Sequence, residues 1–313
     1  FGIDAAYFAL AAIGLNIQFG YTGLLNFGQS AFMACGAYGL GMTSQYFGVG
    51  MWWGILIGLA LVIILGLLVG IPTLRLRADY LAIVTIATAE IVRLVVRSVR
   101  FKQYFGGSDG INSFSTSFRD LSPFDPAAQY GIRPFRYSGY SFWTMIVGWS
   151  LVIIFSGLVY MLMKSPWGRV VKAIREDEDA VRSLGKNVYA YKMQSLILGG
   201  ALGTLAGIVF VLPRSVQPGN YVTGLTFFIW TIMLLGGAAT IFGPIVGSMI
   251  FWVLLSLTEG VLQGLVNMGV ITFLTTDQIG PVRFILIGLG LMALVVFRPQ
   301  GIFGNKKELQ FNV

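Results

Sequence analysis

The 313 residues contain no histidine and a single cysteine. Without imidazole, His-based metal sites and Ser-His-Asp or Cys-His machinery are excluded. Cys35 cannot form an intrachain disulfide, and in its apolar run it reads as a small buried hydrophobe. Charge is scarce as well. Lys and Arg number 21 and Asp and Glu 13, together 11% of the chain; an average soluble protein carries about 25%. No Walker A pattern occurs, so any ATP chemistry belongs to another chain. No signal-peptide pattern is visible.

What is abundant is apolar. Hydrophobic residues make up 56%, aromatics 14%, and mean hydropathy is +0.78. A water-soluble domain cannot hide that much apolar surface, so the chain reads as a polytopic all-α membrane protein. Apolar runs fall at 3–19, 24–44, 51–71, 80–97, 142–163, 191–212, 225–238, 243–263 and 281–297. Nine transmembrane helices are expected, within a range of about eight to ten, at roughly 20 residues per span. The run at 225–238 is short for a hydrocarbon core of ~30 Å and suits a tilted, broken or re-entrant helix. The chain starts at Phe1 without an initiator Met, so a missing leading segment with another span is expected.

Surplus Lys and Arg gather in cytoplasmic loops, so the net charge of +8 gives orientation and does not require nucleic acid. The segment 164–190, with Lys164, Arg169, Lys172, Arg175, Arg182 and Lys186, is placed in the cytoplasm. Alternating spans put Arg75 and Arg77 inside, with the C-terminal tail bearing Arg298, Lys306 and Lys307. The long loop 98–141 then lies outside, within a single permeating domain spanning 1–313. Forty-one glycines are spread through the spans. Gly58, Gly66 and Gly70, and Gly199, Gly203 and Gly207, have the spacing that lets helix backbones approach closely.

The most informative stretch is 165–185. Pro166 ends the preceding span. Val170, Ala173 and Ile174 share a helical face after Gly168 and Arg169. Arg175 and the consecutive acids Glu176, Asp177, Glu178 and Asp179 follow. Ala180, Val181 and Leu184 form a second short helix stopped by Gly185. One reading is a solvated loop; the other is a docking element, because an exposed apolar face would otherwise stay unpaired.

Polar groups inside the spans are the second signal. Asn26, Gln29 and Ser30 cannot face lipid cheaply. They suit either interhelical hydrogen bonds or a midplane pathway. Gly236, Gly237, Gly243 and Pro244 make a tight reversal with the same two readings. Glu90 and Arg93, at i and i+3 in the fourth span, pair with each other or face a polar cavity. Gly106-Gly107-Ser108-Asp109-Gly110-Ile111 is a Gly-rich turn in the outer loop, without the Lys-Ser/Thr of a phosphate cradle. Glu90 is the only firmly mid-span acid, which argues against an ion-driven carrier. A membrane enzyme would need converging titratable groups, and the acids at 176–179 are merely consecutive.

Several of these pieces together resemble a known family. They are Tyr21-Thr-Gly-Leu-Leu-Asn-Phe-Gly-Gln-Ser, Leu74-Arg-Leu-Arg-Ala-Asp-Tyr through Glu90 and Arg93, Gly106 through Ile111, Trp167-Gly-Arg through Ala173-Ile-Arg-Glu-Asp-Glu, Leu235-Gly-Gly through Phe242-Gly-Pro, and Phe297-Arg-Pro-Gln-Gly-Ile-Phe. Each is weak alone and strong in this order. The chain resembles the larger permease subunit of ABC importers for branched-chain, hydrophobic amino acids. The resemblance implies a bacterial inner-membrane protein with a cytoplasmic C-terminus and no catalytic residues or cofactor of its own. It implies a second permease, two cytoplasmic ATPases carrying ATP and Mg, and an external substrate-binding protein. The 165–185 segment would be the ATPase coupling element. It departs from the usual Glu-Ala-Ala loop: the acid–Ala pair is Asp179-Ala180, the glycine Gly185 lies one place late, and no Ile-x-Leu-Pro ending follows. Urea or short amides are alternative cargo, and an ion-coupled secondary transporter is the rival mechanism.

Overall fold

The computed structural model describes residues 2–304, apart from 49, 76–77, 113, 126–127, 132–135, 269–274, 276–277 and 298–299. The orienting residues Arg77, Arg298, Lys306 and Lys307 lie outside the described residues. Helices dominate, and a helix stands at each apolar run. The first is α1, Ile3–Leu15, which continues as a π-helix over Asn16–Tyr21. Next come α2 (Gln29–Tyr46), α3 (Met51–Thr73) and α4 (Ala78–Arg97). Short helices α5 (Lys102–Phe105) and α6 (Thr116–Asp120) lie in the loop before α7 (Gly139–Lys164). Then follow α8 (Pro166–Glu176), α9 (Glu178–Ser183), α10 (Val188–Val211), α11 (Thr223–Gly236), α12 (Gly243–Asn267) and α13 (Ile279–Phe297). A two-residue strand pair, β1 (Gln129–Tyr130) with β2 (Tyr137–Ser138), is the only sheet among the described residues.

Among the described residues, five helical segments are long and apolar enough to cross a membrane: Ile3–Tyr21, Met51–Thr73, Gly139–Lys164, Val188–Val211 and Gly243–Asn267. Their surroundings differ sharply. In its most apolar window Ile3–Tyr21 is 83% buried within the protein, whereas Gly139–Lys164 is only 22% buried. The first helix is therefore the axis of the bundle, enclosed by α10, α12, α7 and α11. Outward faces such as Trp52, Leu68, Ile153 and Met161 remain exposed, as lipid contact requires.

Glycine makes the axis possible. A Cβ on Gly14 would meet the Gly199 carbonyl oxygen at 2.4 Å, and one on Gly207 the Met33 carbonyl oxygen at 2.0 Å. Helices α1, α2 and α10 thus touch backbone to backbone. Gly58 meets Gly36 in the same manner, and Gly66 and Gly70 admit Ile197 and Met193 of α10. Apolar helices gain little from burial against each other in lipid, so close packing must supply the attraction.

The two ends of the bundle are tied differently. At one end Arg214 reaches Asp4 at 2.6 Å, and Ile111 and Val216 form a two-bond bridge. The Gly-rich turn exists for that bridge: Gly106, Gly107 and Gly110 all have positive φ, and a Cβ on Gly110 would strike the Val216 carbonyl oxygen at 2.3 Å. At the other end lie α8, α9 and the α11–α12 reversal. There Ile302 and Phe303 N–H groups donate to the Leu235 and Gly236 carbonyls, at 3.0 Å each.

Candidate functional site

The helix pair α8–α9 is built by its caps. Ser165 precedes Pro166, and its Oγ accepts from the Gly168 N–H at 3.4 Å. Pro166 sits where its missing N–H costs nothing. A Cβ on Gly168 would meet the Met163 backbone at 2.5 Å, so only glycine permits the tight turn out of α7. Asp177 ends α8 in an extended conformation and caps α9, its Oδ1 accepting from the Asp179 and Ala180 N–H groups at 3.0 Å. Glu178 and Asp179 then occupy the first turn of α9, where negative charge suits the helix dipole. Arg182 bonds both, and Lys192 of α10 bonds Glu178. The acidic run is thus largely a cap and its ion pairs, with Glu176 left at the surface.

The apolar face of the pair differs from the sequence expectation. Ile174 turns inward with Val171, and both pack beneath the pair: Ile174 joins Val181 and Val188. Val170 is half-buried against that cluster, and Ala173 points outward. The reason is the stripe that two short helices must share to stay on the bundle: Val171, Ile174 and Val181 satisfy it. Exposed on the pair are Arg169, Lys172, Ala173, Glu176, Asp177, Asp179, Ala180, Arg182, Ser183, Leu184 and Gly185, with Leu184 78% exposed at the tip. Beside it a cavity of about 310 Å³ is lined by Arg75, Glu178, Arg182, Lys186 and Tyr189.

Asn26 and Gln29 come together at the break between the π-helix and α2. Residues 22–28 are unwound in the protein interior, so their backbone groups need partners. Asn26 Oδ1 accepts from the Gly28 N–H at 2.8 Å, Thr85 Oγ1 from the Phe27 N–H and Thr226 Oγ1 from the Ser30 N–H, both at 3.0 Å. Asn26 Nδ2 donates to Gln18 Oε1 at 2.7 Å and to Gln29 Oε1 at 3.2 Å. Gln18 Nε2 donates to the Leu196 carbonyl at 2.9 Å, and Gln29 Nε2 to the Gly199 carbonyl at 3.1 Å. Asn26, Gln29 and Gln18 are completely buried. The void beside Asn26, Phe32 and Thr88 is about 10 Å³ and holds a water at most. Ser30 Oγ has no partner among the described residues.

The reversal between α11 and α12 is pinned to the same region. Gly237 and Ala239 have positive φ, and Thr240 Oγ1 donates to the Gly237 carbonyl at 2.7 Å. Gly236 and Gly243 touch so closely that a Cβ on Gly236 would meet the Gly243 carbonyl at 1.8 Å. Pro244 opens α12. Asn16 of the π-helix clamps the turn, donating to the Thr240 carbonyl at 2.7 Å and accepting from the Ala239 N–H at 2.8 Å.

Glu90 and Arg93 stand apart from this network. Arg93 Nε donates to Glu90 Oε2 at 3.0 Å, and a second bond completes the fork. The Glu90 side chain is 40% exposed and Arg93 16%. On α4 the buried positions are Leu81, Thr85, Ala89 and Val96, so the ion pair flanks that stripe. Sequence reading missed Gln18 and Asn16, whose polar character inside the first apolar run was the available signal. It also missed the pair of Glu259 on α12 with Arg283 on α13, because nothing local joins them.

A family model, the permease component of branched-chain amino acid transport systems, matches residues 2–295. The chain belongs to that family. The permease is 28% identical over 306 residues to the high-affinity branched-chain amino acid transport system permease protein LivM of Escherichia coli K12, covering 94% of this chain and 67% of that protein. It is 26% identical over 338 residues to the probable LivM of Methanocaldococcus jannaschii, covering 95% and 90%. A shorter likeness, 30% over 108 residues, links it to the autoinducer 2 import permease LsrC of Photorhabdus laumondii, covering 33% of this chain and 32% of that protein. No solved structure matches the chain. Family and apolar helices together make the permease a multi-pass membrane transport subunit of an ABC system.

Proposed function

We propose that the permease carries branched-chain or other hydrophobic amino acids inward, powered by ATP hydrolysed on partner ATPases. The observation that carries this reading is the family match across residues 2–295, joined to an amphipathic helix pair that leaves Ala173, Ala180 and Leu184 at the surface. The LivM relatives support that cargo. The chain crosses the membrane nine times, with the α8–α9 end and the C-terminus in the cytoplasm. A second permease completes the pathway, and an extracytoplasmic binding protein delivers the amino acid. ATP and Mg reside on the ATPases. Their closure pushes on α8–α9, and access alternates between the two sides.

Among the residues singled out, Glu90 and Arg93 are the best pathway candidates. Lipid is a poor cover for an ion pair whose glutamate side chain is 40% exposed, since an ionised side chain at a helix centre costs roughly 2.5–3.5 kcal/mol. Water or the second permease covers it instead. Asn26, Gln29 and Ser30, with the Gly236–Pro244 turn, line no open pathway and support the packed core in its resting arrangement.

The test is co-purification with the ATPase followed by leucine uptake in vesicles. Because Ile174 is buried, the disrupting variant is Ala173→Asp with Leu184→Asp. The ATPase is expected to dissociate at least tenfold more readily, a change of about 1.4 kcal/mol, with normal membrane insertion. Uptake of leucine that persists without any ATPase and follows an ion gradient would sink the proposal. Uptake of urea or short amides in place of leucine would change the cargo alone.

A further inference from the structure

The π-helix Asn16–Tyr21 has a position that the transport reading does not use. It lies where the axial helix meets α8, and every polar side chain on it is engaged. Arg175 of α8 donates to the Gly20 carbonyl, and its Cγ lies 3.4 Å from where a Cβ of Gly23 would stand. Lys172 of α8 rests 5.5 Å from the centre of the Tyr21 ring. From the same six residues Gln18 holds α10 and Asn26, and Asn16 holds the α11–α12 reversal. Gly20 is what lets these grips coincide. A Cβ there would meet Asn16 Oδ1 at 1.9 Å and the Ala239 N at 2.7 Å.

We propose that Arg175 and the π-helix form the linkage that carries movement of α8 into the membrane core, with Gln18 and Asn16 as positioning residues. This rests on the reading of α8–α9 as the ATPase contact. A π-helix holds an extra residue in its turn and is frequent at functional sites. Resolving it into α-helix advances the residues beyond it by one position, a rotation of about 100° and a rise of about 1.5 Å. A pull on Gly20 through Arg175 therefore has a large outcome: the turn cannot change register with Asn16, Gln18 and Gly20 all on their present partners. Releasing Gln18 frees Asn26 and the start of α2, and releasing Asn16 frees the reversal at Gly237–Gly243. One contact at α8 thus reaches α2, α10, α11 and α12 together.

The experiment has two arms. In the purified permease without ATPase, amide hydrogen exchange is compared between wild type and Arg175→Gln. Exchange at residues 16–21 and 237–240 is expected to rise at least fivefold, and Arg175→Lys is expected to restore most of the protection. In the assembled transporter, Arg175→Gln and the near-isosteric Gln18→Met are expected to keep the ATPase bound while lowering leucine uptake at least tenfold. Unchanged exchange at 16–21 in Arg175→Gln overturns the linkage, and so does wild-type uptake by Gln18→Met. A wild-type permease that binds no ATPase overturns the coupling reading, and the proposal with it. ATPase binding with unchanged exchange overturns the linkage alone.

Discussion

The buried amides around Asn26 and the ion pair on α4 answer the same problem in opposite ways. Both put strongly polar groups inside apolar helices. Asn26, Gln18 and Gln29 are completely enclosed and bond each other and the Leu196 and Gly199 carbonyls. Glu90 and Arg93 satisfy each other but leave Glu90 40% exposed. The first arrangement repairs a helix break that folding itself created. The second leaves ionic groups at an outer face that the chain alone does not cover. A network that is closed by protein on every side is a frame. A pair that is open on one side waits for water or a neighbouring subunit.

The sharpest way to break the comparison is Asn26→Leu. The Gly28 N–H and the Gln18 Oε1 lose their partner in the interior. A loss of about 2–6 kcal/mol is expected, since each unsatisfied buried group costs roughly 1–3 kcal/mol. Unfolding of the detergent-solubilised permease by denaturant measures it. A stable Asn26→Leu protein with altered cargo preference would move the amides from frame to pathway.

Next comes the packing that closes the frame. Gly207→Ala pushes a Cβ against the Met33 carbonyl oxygen and is expected to cost about 1–3 kcal/mol. Gly260→Ala, with nothing within 4 Å, is expected to stay within about 0.5 kcal/mol of wild type. Thermal unfolding of the two variants side by side checks the contrast.

For the open pair the expected split is reversed. Glu90→Gln together with Arg93→Gln should change stability by less than about 1 kcal/mol, because both charges go together and neither is left unpaired. Leucine uptake should nevertheless fall severalfold. Full uptake by the double variant would return the pair to a structural role.

The smallest effect belongs to the loop between α4 and α7, where no frame is at stake. Lys102 lies 2.7 Å from Asp109, and its hydrogen bond holds that carboxyl below the usual aspartate range. A depressed folded value means the contribution is present above the ordinary Asp value and fades as pH falls through the folded one. Both groups are well exposed, so salt screens the pair. Asp109→Asn should therefore leave stability at neutral pH nearly unchanged, measured by thermal unfolding. It should also remove the part of the acid sensitivity that added salt removes.

Much of this was legible in the linear chain. The helices at the apolar runs follow from length and hydropathy, because a continuous apolar run of about 20 residues in lipid satisfies its backbone within itself only as a helix. Pro166 was readable as the end of α7, as was the Gly-rich turn at 106–111. The inward face of α8 was not. Val170, Val171, Ala173 and Ile174 are all apolar, and a helix of three turns offers two plausible faces; packing with Val181 and Val188 chose between them. Gln18 escaped notice because its partners, Asn26 and the Leu196 carbonyl, are eight and 178 positions away.

The sequence by itself determined the solvent and the class of structure. Few charges and repeated apolar runs leave a helical membrane protein. Those properties are sums over residues and need no geometry. Only the tertiary structure decided which polar groups are closed and which are open, because a hydrogen bond depends on where a distant partner stands. It also decided that Asn16, Gln18 and Arg175 meet across one π-turn, since a carbonyl on Gly20 becomes a handle only when α8 is folded against it.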